Sequence, residues 1–261
     1  MVERLAVAQR ATLIELAQLW PNQEFTLIGA LALHLALAGY ERQTNDIDIT
    51  LILPPQLVRD RLQSLNGWAP SPGIDHEWRS RSGSKVHVIP ITEDALQSGE
   101  MTWPESGRRM SVKGMRLAFE HRETVIVEGA LSVAVATVPC IVALKAVSYG
   151  DRPYARERDL GDIAEALEKY IADDDDRRWT PETEMLLHED CSAFLLGKDV
   201  CAITDDDERG SVTSLVEMVE LETDGGRAQA TMLKLAPPSL RYRPADLLQR
   251  LSAFKRGLGA P

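Results

Sequence analysis

The most constraining feature of the sequence is the segment Asp46-Ile47-Asp48-Ile49-Thr50-Leu51-Ile52-Leu53, which places two carboxylates in an otherwise apolar run. Such a run predicts a buried β-strand, and Pro54-Pro55 ends it. Residues two apart on a strand point to the same face, so Asp46 and Asp48 project together while Ile47 and Ile49 enter the core. Two neighbouring carboxylates repel each other unless a cation lies between them. The pair therefore predicts a divalent-metal site on one face of a sheet.

A second feature is the change of residue pattern at Gly29. Residues 25–28 predict a short buried strand, whereas residues 30–38 are rich in Ala and Leu, which favours a helix. Free backbone N–H groups at a strand-to-helix junction suit a phosphate. Because Mg²⁺ is normally held by one or two carboxylates together with substrate phosphates, the bend and the acidic pair predict a nucleotide-metal site. The alternative is that Asn45 and Asp46 only cap a loop, although an unpaired Asp48 within an apolar strand would be costly.

The remaining patterns predict an α+β domain over residues 1–137, built on a mixed sheet, and a mostly helical domain over 138–261. The first domain has predicted helices at 2–19 and 55–65, a hairpin across 76–91 with its turn at Ser82-Gly83-Ser84, and strands at 124–127 and 131–135. The second has predicted helices at 141–148, at 160–170 and beyond residue 180. We expect an active cleft between the two domains.

Charge and composition narrow the classes of function. The chain has 29 basic and 40 acidic side chains and a net charge of −11, which disfavours non-specific coating of nucleic acid. The stretch from Arg79 to Arg122 is locally basic and is either a solvated sheet face or a surface that contacts an acceptor. Apolar runs stay short of the roughly 20 residues that span a bilayer, and the first residues lack the layout of a secretory signal. The three cysteines share no metal-ligand spacing, so the sequence predicts a cytoplasmic protein with reduced thiols.

The bend at Gly29-Ala30 followed by Asp46-x-Asp48 resembles the nucleotidyltransferase superfamily. A second block is similar to the helical block that follows the catalytic domain in the AbiEii branch, the toxins of type IV toxin–antitoxin and phage-abortive systems. The segment Arg42-x-Thr44 also fits the Arg-x-Ser/Thr pattern that precedes the acidic pair in that branch. The resemblance covers roughly residues 25–170, and the second block contains Lys145, Arg152, Asp159 and Asp162.

The resemblance implies a nucleotidyltransferase-type fold and transfer of a nucleoside monophosphate from a nucleoside triphosphate to a hydroxyl of RNA, protein or a small molecule. Asp46 and Asp48 would hold Mg²⁺ or Mn²⁺, in the manner of metal clamps on an in-line displacement. The bend would present backbone amides to the phosphates, and a cognate antitoxin is an expected partner. The other nucleotide-binding residues that it implies are Arg42, Thr44, Lys145, Asp159 and Asp162.

Within the helical block, the resemblance implies that Lys145 neutralises the triphosphate and that Arg152 assists it. Asp159 and Asp162 are three apart on a helix and would orient one of these cations. A simpler interpretation is that the Lys145 head group reaches water from a helix end. Arg156 is likewise expected only to balance surface acids such as Asp159.

One position departs from the family pattern. The strand Lys85-Val86-His87-Val88-Ile89-Pro90 carries His87 where the family has its third carboxylate. His87 could act as the base, because its pKa lies near neutrality, or as a metal ligand that favours manganese or zinc. Alternatively, catalysis is lost and nucleotide binding kept. The usual serine of the bend is also replaced, by Ala30.

Three functions therefore remain open. The first is a toxin-like nucleotidyltransferase that acts on RNA or protein. The second is a small-molecule transferase of the antibiotic-modifying kind, which would need a deep acidic pocket for a cationic acceptor. The third is a catalytically impaired nucleotide-binding module of the same fold.

Overall fold

The computed structural model describes residues 5–21, 25–127 and 131–259. The chain divides into two compact units: a sheet unit, Met1–Ala36 with Gln43–Thr137, and a helical unit, Leu37–Arg42 with Val138–Pro261. The short segment Leu37–Arg42, which lies in the first of the two domains predicted from the sequence, packs within the helical unit.

The sheet unit is built on a mixed sheet, and this confirms the predicted α+β class. Over the described residues the sheet has seven strands in the order β3-β4-β5-β2-β1-β9-β8, and β6 and β7 form a separate pair. Central strand β2 runs antiparallel to β1 and parallel to β5. The bounds are β1 Thr26–Ile28, β2 Asp46–Ile52, β3 Ala69–Pro70, β4 Glu77–Arg79, β5 Lys85–Ile91, β6 Glu100–Thr102, β7 Arg109–Ser111, β8 Arg122–Val127 and β9 Leu131–Ala136.

The core of this unit follows from the alternation predicted for β2. Ile47, Ile49 and Leu51 are fully buried, as is Leu27 on β1. Removal of these branched side chains from water is the main favourable term that holds the strand in the sheet. The predicted hairpin over residues 76–91 is also present, since β4 and β5 pair antiparallel around the glycine-containing turn.

Five helices lie in the described part of the sheet unit: α1 Val7–Leu19, α2 Gly29–Ala36, α3 Pro55–Ser64, α4 Glu93–Ser98 and α5 Met115–Glu120. The first three occupy predicted helical segments, although residues 2–4 of the predicted first helix lie outside the described residues. The sequence did not predict α4 and α5, because a six-residue helix is too short to show a helical period. Thr92 begins α4 by accepting a hydrogen bond from the backbone N–H of Ala95.

The helical unit contains six α-helices over its described residues: α6 Val138–Asp151, α7 Glu157–Lys169, α8 His188–Ile203, α9 Asp206–Glu220, α10 Arg227–Leu235 and α11 Pro244–Leu258. Short 3₁₀ turns lie at Pro153–Ala155 and Asp176–Trp179. Helix α6 is buried along most of its length, which explains its nearly unbroken apolar sequence. No helix in the described ranges is long and apolar enough to cross a membrane.

Helices α8 and α11 approach each other through two glycines. A Cβ atom added at Gly197 would lie 2.1 Å from the carbonyl oxygen of Phe254, and one at Gly257 would lie 2.1 Å from the carbonyl oxygen of Phe194. The obstructing atoms are backbone atoms, which cannot move aside without separating the helices. The two backbones are therefore in direct contact at this crossing.

Replacement of Gly257 by Ala should destabilise the protein, even though Ala is the better helix former by about 1 kcal/mol. The added methyl would push α11 away from α8, an overpacking effect that costs about 1–3 kcal/mol. The measurement is urea unfolding followed by circular dichroism. The matched control is Gly210→Ala on α9, where an added Cβ meets no atom within 4 Å; that variant should be stabilised. Equal stability of the two variants would contradict the close crossing.

Candidate active site

The predicted acidic pair lies on one face of β2, near the start of the strand. Asp46 and Asp48 are partly exposed, whereas Ile47 between them is fully buried. Across the sheet, Asp48 pairs with Ile28 at the end of β1 on one side and with His87 of β5 on the other. The strand register therefore places the bend after β1, Asp48 and His87 in one row.

Gly29 lies directly against the Asp48 carboxylate. Its φ angle is 71°, in the left-handed region that favours glycine. A Cβ atom added there would come within 2.4 Å of Asp48 Oδ2 and 3.0 Å of its Cγ. The absent side chain thus lets a carboxylate oxygen reach the bend at which α2 begins. The contact joins the two features that the sequence singled out.

His87 bridges two carboxylates. Its Nδ1 lies 2.7 Å from Asp48 Oδ1, and its Nε2 lies 3.2 Å from Glu77 Oε2 on β4. Since ionised carboxylates only accept hydrogen bonds, both contacts can be hydrogen bonds at once only when both ring nitrogens carry a proton, so the arrangement favours the imidazolium. Burial acts to lower the pKa of His87, but the hydrogen bond and charge of Asp48, followed by Glu77, outweigh burial and raise the pKa above its ordinary value.

Glu77 is a site residue that the sequence did not single out. Its Oε1 accepts a hydrogen bond of 2.7 Å from Ser71 Oγ, and this bond is the largest cause of the lowered pKa of Glu77, followed by burial, which opposes it, and by His87. No sequence pattern indicated it, because counting symmetrically from the predicted turn Ser82-Gly83-Ser84 pairs His87 with Arg79, whereas the strands pair His87 with Glu77.

A second ion pair involves Asp46, two residues before Asp48 on β2. Asp46 Oδ2 lies 3.1 Å from the ammonium of Lys85, which is its register partner on β5. The backbone N–H of Asp46 donates to Thr44 Oγ1 over 3.3 Å, so Thr44 supports the start of β2. Both aspartates therefore lie beside a basic side chain, and a role of Asp46 beyond the start of β2 stays a prediction.

The residues present fit a divalent cation that a nucleotide would bring with it. Asp48 Oδ1 is used by His87, but Oδ2 faces the bend, and the Asp46 carboxylate projects from the same face of β2. Among the described residues, no three or more His, Cys, Asp and Glu side chains are arranged to hold a metal by themselves. Mg²⁺ needs only one or two carboxylates when phosphates and water complete its shell. A role of His87 as ligand would require one of its two hydrogen bonds to break, and that role stays a prediction.

The predicted Lys145 cluster forms within the helical unit. The Lys145 ammonium lies 2.8 Å from Asp159 Oδ1 and 2.7 Å from Asp162 Oδ2, and all three side chains are buried. Burial acts to lower the pKa of Lys145, and the two carboxylates outweigh it and raise the pKa. The interpretation that Lys145 reaches water is therefore wrong. Its predicted contact with a triphosphate stays a prediction.

Two residues of the segment Leu37–Arg42 complete this cluster. Arg42 binds Asp162 through both carboxylate oxygens, at 2.7 Å from Nε and 2.8 Å from Nη2. The Tyr40 hydroxyl donates to Asp162 over 2.6 Å, and burial followed by the Asp162 charge raises the pKa of Tyr40. Asp162 thus joins Lys145, Arg42 and Tyr40. Tyr40 was missed because a lone tyrosine after a helix that stops at a glycine carries no pattern.

Arg156 and Arg152, the other two cations considered in this block, lie in different environments. Arg156, expected to balance surface charge, donates to the buried carboxylate of Asp159 over 2.7 Å, whereas Arg152 is exposed beside the first 3₁₀ turn. The basic stretch from Arg79 to Arg122 is not one sheet face as interpreted, because Arg109 lies on the separate β6–β7 pair and Arg116 on helix α5. Its contact with an acceptor stays a prediction.

A recess of about 350 Å³ lies elsewhere on the sheet unit. Its wall includes Trp78 and Val88, which alternate with Glu77 and His87 along β4 and β5 and so point to the opposite face. Its other lining residues are Pro55, Gln56, Val58, Arg59, Asp75, Pro90, Trp103, Pro104 and Glu105. The recess is thus separate from the row that the bend after β1, Asp48 and His87 form.

A glycine bend against the second member of an Asp-x-Asp pair, on a mixed sheet, agrees with the resemblance of the sequence to nucleotidyltransferases. The family model described as nucleotidyl transferase AbiEii toxin, type IV TA system, matches residues 16–190. Because the match spans more than half of the chain, the chain belongs to this family.

Two solved structures show weaker likeness. A nucleotidyltransferase-like antigenic protein from Paracoccidioides brasiliensis has 20% identity and a TM-score of 0.39, over 59% of this chain and 72% of its own. The protein JHP933 from Helicobacter pylori has 14% identity and a TM-score of 0.45, over 98% of this chain and 95% of its own. No curated protein matches the sequence.

Replacement of Lys145 by Met should destabilise the protein by about 3 kcal/mol, because two buried carboxylates lose a shared cation. Urea unfolding provides the measurement. In the matched control, Lys198→Met, an exposed ion pair with Glu182 is lost, and the change should stay within about 1 kcal/mol. If both variants lost similar, small amounts of stability, the buried cluster would not exist in solution.

The contribution of His87 to stability should depend on pH. Its folded-state pKa is raised, so the charged ring stabilises the native protein below the unfolded-state pKa of about 6.5, and this effect disappears as pH rises through the folded-state value. The groups that act on the ring are Asp48, Glu77 and Lys85. The difference in unfolding free energy between wild type and His87→Gln should therefore be larger at pH 6 than at pH 9. A difference independent of pH would show that the ring is neutral.

Proposed function

We propose that the protein is a metal-dependent nucleotidyltransferase that transfers a nucleoside monophosphate from a nucleoside triphosphate to a hydroxyl of RNA or protein. Membership of the AbiEii family supports nucleotidyl transfer in general. The observation that carries the metal and nucleotide assignment is the direct contact between the Asp48 carboxylate and the bend at Gly29. A cation held by Asp48 Oδ2 would lie beside backbone N–H groups that suit a phosphate.

Each residue of the proposed site has a distinct task. Asp46 and Asp48 would hold Mg²⁺ or Mn²⁺ together with the phosphates, and the bound cation would supply charge stabilisation at the transferred phosphorus. Gly29 and Ala30 would present the start of α2 to the phosphates. His87 fixes Asp48 Oδ1 and thereby turns Oδ2 towards the bend. This task needs a proton on Nδ1 of the ring.

A second candidate function is a nucleotide-binding module with impaired catalysis. It is favoured by the same imidazolium, because a positive ring stands where the family has its third carboxylate, and a doubly hydrogen-bonded ring is a poor base. The small-molecule alternative requires a deep acidic pocket, and the observed recess lies on the other face of the sheet. The small-molecule alternative therefore receives no support from the geometry around Asp48.

The acceptor and the partner are proposed from the family alone. Its description as a type IV toxin supports a cognate antitoxin and a toxic activity in the cell. A protein without a membrane-spanning helix in its described residues is consistent with a cytoplasmic location, which we also propose.

Incubation with α-³²P-labelled nucleoside triphosphates, Mg²⁺ or Mn²⁺ and total RNA or protein extract should label an acceptor. Asp48→Asn should lower the rate by about 100-fold or more, because removal of a preorganised charge at a transition state has an effect of this size. The matched control is Asp94→Asn, an exposed aspartate on α4, which should retain full activity.

Separate outcomes distinguish the two candidates. Labelling by the wild type supports the transferase. Mg²⁺-dependent nucleotide binding that is lost in Asp48→Asn, without labelling of any acceptor, supports the binding module. Wild-type binding and labelling that persist in Asp48→Asn would exclude both.

A further inference from the structure

Glu77 uses both of its carboxylate oxygens inside the sheet unit. Oε1 accepts from Ser71 Oγ at 2.7 Å, and Oε2 lies 3.2 Å from His87 Nε2. The side chain is only 17% exposed, so the arrangement is not a pairing of mobile surface groups. A largely buried carboxylate of this kind is stable only when its oxygens are satisfied.

These contacts continue without a gap to the bend. From Ser71 the chain of hydrogen bonds runs through Glu77 and His87 to Asp48 Oδ1, and the other oxygen of Asp48 touches Gly29. The neighbouring strands β4, β5 and β2 each contribute one residue to this chain, and the strand register places these residues directly beside one another. The imidazole therefore has both nitrogens fixed, and its plane cannot rotate without breaking a bond.

We infer that Glu77, supported by Ser71, is a positioning residue that fixes the His87 ring and, through it, the Asp48 carboxylate. The sheet thus retains a third carboxylate for this site, one strand further out than the position that the family pattern predicts. The effect on catalysis rests on the proposed function, whereas the effect on His87 does not.

The geometry separates this role from two others. A direct role of Glu77 at a metal held by Asp48 is disfavoured by position, because the His87 ring lies between the two carboxylates. A role in packing alone would be satisfied by any side chain of similar volume. Glu77→Met keeps the volume and removes the acceptor, and Glu77→Gln keeps an acceptor oxygen, so the two variants distinguish hydrogen bonding from packing.

The first test reads the His87 ring directly and needs neither metal nor activity. Imidazole ¹⁵N and ¹H spectra of the full chain with labelled histidine would be recorded for wild type, Glu77→Met and Glu77→Gln, with His87→Gln to assign the signals. The Nε2-bound proton of His87 should be seen in wild type and in Glu77→Gln and should be lost to exchange with water in Glu77→Met. Unchanged His87 signals in Glu77→Met would overturn the inference.

The matched control is Glu123→Met, an exposed glutamate on β8 of the same sheet, which should leave the His87 signals unchanged. Circular dichroism and urea unfolding establish that each variant is folded. If Glu77→Met fails to fold, Ser71→Ala removes the outer hydrogen bond only and should weaken the same signal. Signals equal to wild type in that variant would also count against the inference.

The second test is kinetic. Loss of a group that orients a metal ligand typically costs about 10- to 100-fold in activity, so Glu77→Met should lower kcat by that factor and leave KM for the nucleotide within about twofold. Glu77→Gln should recover most of the activity. If wild type transfers no label, the proposed function fails while the spectra still decide the role of Glu77. A normal kcat in Glu77→Met, with wild-type transfer intact, would overturn the positioning role.

Discussion

The site depends on the contact between the Asp48 carboxylate and a glycine that carries no side chain. The two oxygens of Asp48 have different neighbours, His87 at Oδ1 and the bend at Oδ2. Any side chain at position 29 would occupy the space that Oδ2 fills and would also strain the left-handed backbone. One oxygen is therefore held by the protein and the other lies where a strand ends and a helix begins. That asymmetry makes the carboxylate suitable for a cation and a phosphate.

Each unit holds a set of opposite charges in close contact. In the sheet unit, His87 stands between Asp48 and Glu77; in the helical unit, Lys145 stands between Asp159 and Asp162. Removal of one partner from such a set leaves a charge without its counter-charge, which costs more than the set contributes when complete. The pKa values of His87 and Lys145 are accordingly raised. Each set also connects different elements, β2 and β4 through β5 in the sheet unit and α6 with α7 in the helical unit.

Much of the fold and part of the site could be predicted from the sequence, because the signals were local. The alternation in 46–52, the change of pattern at Gly29 and the glycine-containing hairpin turn each depend on residues within one element or two adjacent ones. The short helices α4 and α5 were missed because six residues are fewer than two helical turns. Glu77 was missed for a different reason: its importance comes from the residue it faces on β5.

The acidic pair, the glycine bend and the hairpin could be predicted from spacing along the chain, and the family from the resemblance of its motifs. The folded chain was needed to find that Asp48 lies against Gly29, that His87 is shared by two carboxylates, and that Tyr40 and Arg42 bind Asp162. The physical reason is that hydrogen bonds and charge compensation depend on distance in space. Strand register and helix packing set those distances, and both form only when the whole core is buried.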